Sequence, residues 1–156
     1  MVNFRPNHPP KFGITKTKSN TINRVIMENL KKNREFIINY FNAMSGHHKT
    51  RELCEKYTTD EKLIEHIEFF EGAFPKYELF IEEIMTEGNK VLIQARATGV
   101  NTGEFNGIPP TGRKMDLPFA IRYTIENGKI VDHWLIADQM LLLEQLGITE
   151  PQTTEM

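Results

Sequence analysis

Asp138 stands at the end of an apolar strand face, a setting in which a carboxyl group can serve as a catalytic acid or base. Asn127 and Gly128 separate two alternating segments, the pair that a two-residue turn with positive φ prefers, so the strand pairing is read outward from them. Glu126 then faces Lys129 and Ile125 faces Ile130. Continuing, Tyr123 faces Asp132, Ile121 faces Trp134, Phe119 faces Ile136 and Leu117 faces Asp138, all on one side of the sheet because strand side chains alternate. Desolvation by this wall is expected to raise the pKa of Asp138 into a range useful for acid/base work. A second reading has the opposite sign: Asp138 also precedes a short helix and is placed to cap it near Leu141, which would lower the pKa.

Other polar residues invite shorter readings. His66 lies at the edge of the helical stripe Leu63, Ile64, Ile67, Phe70 and Phe74, either aimed at a pocket mouth or packed half-buried. His133 has strand parity opposite to Trp134 and is expected to point away from the pocket. Asp132 is expected to pair with Tyr123. His47 and His48 are neighbours at a helix end, with no carboxylate or thiol cluster nearby, so no metal site is expected.

These residues need a scaffold, and the pattern supplies one. Ile22, Val25, Ile26, Leu30, Ile37, Phe41 and Met44 recur at helical spacing, and Gly46 is placed to end the helix in a left-handed cap. A short segment, Thr50 to Tyr57, follows. A third helix is capped by Thr59 or Asp60 and stopped by Pro75. From Tyr77 the period changes to that of strands, with one hairpin turning at Gly88-Asn89 and the second at Asn127-Gly128. The stretch from Gly99 to Gly112 is a loop rich in Gly, Pro and Thr, and Asp138 to Leu146 closes the chain as a helix. Helices followed by antiparallel strands indicate an α+β fold, a curved sheet wrapped around the long N-terminal helix.

Composition narrows the function. The chain has 156 residues, one domain's worth, and a single cysteine, Cys54, which cannot form an internal disulfide. Residues 1–21 are expected to be a disordered basic extension, residues 22–149 the single domain and residues 150–156 a flexible tail. All charges before Glu28 are positive, so the rest of the chain is more acidic than the overall net charge of −2 suggests. Nucleic-acid binding is therefore disfavoured for the main body. No stretch approaches the roughly 20 apolar residues of a membrane span, no secretory signal is evident, and a cytoplasmic location is the expectation.

A chain of motifs resembles the SnoaL-like polyketide cyclase or ester cyclase family, within the nuclear-transport-factor-2-like superfamily of cone-shaped α+β barrels. The motifs are Ala73-Phe74-Pro75, the run from Glu87 to Val91, the loop from Gly103 to Arg113 with its Gly-Ile-Pro-Pro-Thr-Gly core, the run from Asn127 to Trp134, Asp138, and Gln145-Leu146-Gly147. The resemblance implies intramolecular aldol chemistry with Asp138 as acid and base, and neither metal nor organic cofactor. Where family members often carry a loop histidine this chain has Asn101, which can orient a carbonyl but cannot titrate near neutral pH. The implied substrate is a small hydrophobic carbonyl compound, bound by His66, Asn101, Trp134, Tyr123, Phe119, Ile121 and Ile136. Two rivals use the same scaffold: a ligand-binding protein without chemistry, and a hydratase or isomerase using the same aspartate. The opposite sheet face, with Arg122, Thr124, Val131, His133 and Leu135, is expected to pair two copies as a homodimer.

Overall fold

The computed structural model describes residues 14–148, and the elements run α1 (Ile14–Met44), α2 (Arg51–Glu55), α3 (Glu61–Ala73), β1 (Glu78–Glu87), β2 (Lys90–Val100), β3 (Lys114–Glu126), β4 (Lys129–Ala137) and α4 (Gln139–Leu146). The four strands form one antiparallel sheet in the order β1-β2-β3-β4. Val91, Ile93 and Ala95 of β2 and Ile121, Tyr123 and Ile125 of β3 turn inward, where they meet Ile37, Tyr40, Phe41 and Met44 of α1 and Leu63, Ile64 and Ile67 of α3. A curved sheet closed by a long helix is the α+β fold that the sequence indicates.

Helix α1 begins at Ile14, within the segment expected to be a disordered extension, and residues 1–13 lie outside the described residues. No proline or glycine interrupts the chain between Ile14 and Met44, so nothing stops the helix from propagating. Among its described side chains, those that pack against the body lie in the C-terminal half. Ile22, Val25 and Ile26 remain 58, 50 and 49 % exposed. Gly46 ends the helix with φ of 71°, and its N–H donates to the carbonyl of Tyr77 at 3.1 Å, tying the helix end to the start of the sheet.

The second hairpin departs from the expected register after two pairs. Glu126 faces Lys129 and Ile125 faces Ile130, as the Asn127-Gly128 turn dictates, but Thr124 then faces Asp132. Val131 is an extra residue in β4, and from that bulge onward each residue pairs one position later than expected. Tyr123 faces His133, Ile121 faces Leu135 and Phe119 faces Ala137, while Trp134 and Ile136 turn outward and are 51 and 57 % exposed. Asp132 pairs with Arg122 at 2.7 Å on the outer face, not with Tyr123. The loop before α3 engages β4 beside the bulge. Ile130 N–H donates to the carbonyl of Tyr57, its carbonyl accepts from Thr59 N–H, and Thr58 Oγ1 donates to the same oxygen at 2.9 Å.

The loop between β2 and β3 is organised by Asn101, which is fully buried. Its amide nitrogen donates to the carbonyls of Ala73 and Gly103 at 3.2 and 2.9 Å, and its side-chain oxygen accepts from Thr111 N–H and Oγ1 at 2.8 and 3.0 Å. Beside it, Gly103 N–H donates to the carbonyl of Ala73, and a Cβ on Gly103 would fall 1.7 Å from the carbonyl oxygen of Gly72. Any side chain there must push the loop off the end of α3. Gly103→Ala is expected to destabilise the protein by about 1–3 kcal/mol, as overpacking typically does, read as a lower urea midpoint. An unchanged midpoint would show that the loop is not docked.

Candidate active site

Helices α1 and α3 and the inner sheet face leave a cavity of about 70 Å³ between them. Phe41, Leu63, Ile67, Leu117, Phe119, Ile121 and Leu135 make most of its wall apolar, and the polar groups come from His66, Tyr40, Tyr77 and Tyr123. An outer vestibule of about 480 Å³ shares His66, Phe70, Leu117, Leu135 and Ala137 with the cavity and continues past Phe69, Phe105 and Gln139.

His66 joins the two spaces. Its place on α3 follows from Asp60, the N-cap whose Oδ1 accepts from Leu63 N–H at 3.2 Å and so fixes where the helix begins. The ring lies 4.8 Å from that of Phe70, and its nitrogens have no hydrogen-bond partner among the described residues. Burial and, after it, the nearby His133 push the imidazole down to about 4, so His66 is neutral at physiological pH. His133 comes from the inward face of β4 and pairs through Nδ1 with Asp60 Oδ2 at 2.5 Å, both side chains being largely covered. It therefore points inward, contrary to its expected parity, because the bulge at Val131 reverses the alternation.

The tyrosines form the other polar group. The rings of Tyr40 and Tyr123 meet edge to face, with centroids 5.7 Å apart. Burial raises all three phenols above their ordinary range, which keeps them as neutral O–H donors.

The structure brings together His66, Tyr123, Phe119 and Ile121 of the expected set. Trp134 and Ile136 are excluded, because the bulge turns them to the outer face. Asn101 is excluded as well, because its amide protons and oxygen are consumed by the loop it organises. Asp138 is exposed at the rim, between Ala137 and Gln139 of the vestibule wall, and its Oδ1 accepts from Leu141 N–H at 3.0 Å as the N-cap of α4. The apolar wall expected around its carboxylate is thus absent, since the strand face that would have formed it points elsewhere. Sequence reasoning missed Tyr40 and Tyr77. Tyr40 falls on the same helical stripe as Ile37, Phe41 and Met44, a usable signal, whereas Tyr77 lies between a turn and a strand with no periodicity to place it.

A curved antiparallel sheet closed by helices over an apolar cavity defines a nuclear-transport-factor-2-like α+β fold. The chain belongs to the SnoaL-like polyketide cyclase family, whose model matches residues 26–146. Among solved structures it is similar to a candidate SnoaL-like polyketide cyclase from Jannaschia sp. CCS1, with 23% identity, TM-score 0.67 and coverage of 77% of this chain and 94% of that one. AclR, a candidate hydroxylase from Streptomyces galilaeus, gives 21% identity and TM-score 0.67, covering 81% and 87%. IdmH, a candidate polyketide cyclase from Streptomyces antibioticus, gives 22% identity and TM-score 0.61, covering 74% and 98%. At these identities the likeness concerns the fold. No curated protein matches the sequence. Among the described residues no helix is long and apolar enough to cross a membrane.

The depressed imidazole has a consequence for stability. The unfolded chain protonates His66 near 6.5 and the folded chain only near 4, so between these values the unfolded state binds more protons. Stability from this group is complete above about pH 6.5 and is lost as the pH falls toward 4. Replacing His66 with Gln is expected to flatten the fall of the urea midpoint across that window. NMR of the wild-type ring should show it neutral at pH 5; a protonated ring there would remove the effect.

Proposed function

We propose that the chain is a cyclase-type enzyme that carries out cofactor-independent proton transfer on a small hydrophobic carbonyl compound. The observation that supports this most is the cavity itself, whose wall among the described residues is apolar but for a neutral imidazole and three phenols that can donate hydrogen bonds. In this reading the ligand's body fills the vestibule and Asp138 acts from the rim as acid and base. Its carboxylate takes a proton from carbon beside a carbonyl, the resulting carbanion attacks a second carbonyl of the same molecule, and the acid returns the proton to the alkoxide. His66 and Tyr123 orient the substrate through hydrogen bonds. A hydratase or isomerase would use the same aspartate on another substrate.

Asp138→Asn separates chemistry from capping. Asn caps a helix as well as Asp does, so the variant is expected to keep its urea midpoint while losing turnover in a screen of polyketide-like carbonyl compounds. Asp138→Ala should in addition cost about 1 kcal/mol. Full turnover by the Asn variant would assign Asp138 to the cap alone and favour a ligand-binding protein without chemistry. The exposure of the carboxylate is the specific observation on that side.

The outer sheet face supports pairing with a second copy. Trp134 and Ile136 are exposed there beside the ion pairs Arg122–Asp132 and Arg96–Asp116, so each copy presents both signs of charge around an apolar centre. His133 and Leu135, expected on this face, lie on the inner one and are not part of it. Sedimentation equilibrium is expected to show a dimer that Trp134→Asp dissociates. A wild-type monomer at high concentration would reject it.

A further inference from the structure

The polar groups on the part of the cavity wall not shared with the vestibule exceed what the proton-transfer reading uses. Tyr77 is 7 % exposed, lines the cavity, and its hydroxyl has no hydrogen-bond partner among the described residues. No buried side-chain oxygen or nitrogen there is both unpaired and sealed off, so the Tyr77 hydroxyl has access to open space, and the space beside it is the cavity. The ring is held in place from behind. Lys49, whose side chain is 0 % exposed, sets its ammonium 3.7 Å from the ring centroid and donates to the carbonyl of Tyr77 at 2.8 Å. The remaining protons of Lys49 go to the carbonyl of His47 at 3.1 Å and to Glu71 Oε2 at 3.4 Å, so it steadies Tyr77 and has none left for a ligand. Tyr40 and Tyr123 line the same cavity with their rings edge to face, and each phenol carries an O–H donor.

We propose that Tyr77 and the Tyr40–Tyr123 pair anchor an uncharged oxygen, a hydroxyl or carbonyl, on the edge of an aromatic or enolised ring whose body lies in the vestibule. This rests on the reading that the pocket takes a hydrophobic carbonyl compound, but it requires binding only. Size supports it. A cavity of about 150 Å³ holds benzene, so the inner space of about 70 Å³ admits the edge of a ring and not a ring system. Charge supports it too. Among the described residues no Lys, Arg, Asp or Glu lines the cavity, so a carboxylate or ammonium would be desolvated there without a counter-charge.

Calorimetric titration of the full chain with 2-naphthol, naphthalene and 2-naphthoate tests the anchor. 2-Naphthol is expected to bind most tightly, and Tyr77→Phe, which keeps the ring over Lys49, to weaken it about 3- to 10-fold while leaving naphthalene unchanged. Tyr123→Phe should reduce the same selectivity and serves if the Tyr77 variant fails to fold. Equal affinity for 2-naphthol and naphthalene, absence of 2-naphthol binding, or an equal loss for both ligands in the variants would overturn the anchor. Selective 2-naphthol binding by a protein that turns over none of the carbonyl compounds would reject the enzymatic reading and leave the anchor standing.

Discussion

One extra residue in β4 governs what the cavity is made of. Side chains alternate strictly along a strand, so the bulge at Val131 exchanges the two faces of every residue after it. Leu135 and Ala137 become cavity wall, and Trp134 and Ile136 become outer surface. The bulge sits where the loop before α3 is pinned to Ile130 by two backbone hydrogen bonds and the hydroxyl of Thr58. The same loop supplies Asp60, which caps α3 with one carboxylate oxygen and holds His133 with the other. Helix α3 and strand β4 are therefore placed by one carboxylate, and His66, a turn and a half further along α3, takes its position at the cavity from it.

Hydrogen-bond accounting separates structural polar residues from those open to a ligand. Asn101 spends both amide protons and its oxygen on the loop between β2 and β3, and Lys49 spends its protons on two carbonyls and Glu71. Both are buried, and both are satisfied by the protein. His66 and Tyr77 are different. They line the cavity, and no described residue meets the imidazole nitrogens or the Tyr77 hydroxyl. Donors and acceptors left open toward a cavity in this way are the ones a ligand bearing the matching groups can pair with.

The family and much of the architecture were legible in the chain. Helical spacing from Ile37 to Met44, the Asp60 cap, the left-handed Gly46 and the Asn127-Gly128 turn are local features, set by side-chain volume, capping chemistry and allowed φ within a few residues. Asp138 as a cap of α4 was legible for the same reason. The site was legible only in part: His66, Phe119, Ile121 and Tyr123 were found, because their elements keep an unbroken period up to the point where they enter the cavity.

The sequence by itself determined the elements, the turns that join them and the family they belong to, because each is encoded by neighbours along the chain. Tertiary structure decided which side of β4 faces inward, that Asn101 ties a loop instead of meeting a ligand, and that Tyr77 joins Tyr40 and Tyr123 at the cavity. Those outcomes depend on contacts between residues far apart in sequence, such as Thr58 with Ile130, Asn101 with Ala73 and Lys49 with Tyr77. A local pattern carries no record of such a contact, since the partner that shifts a register or consumes a donor lies outside its window.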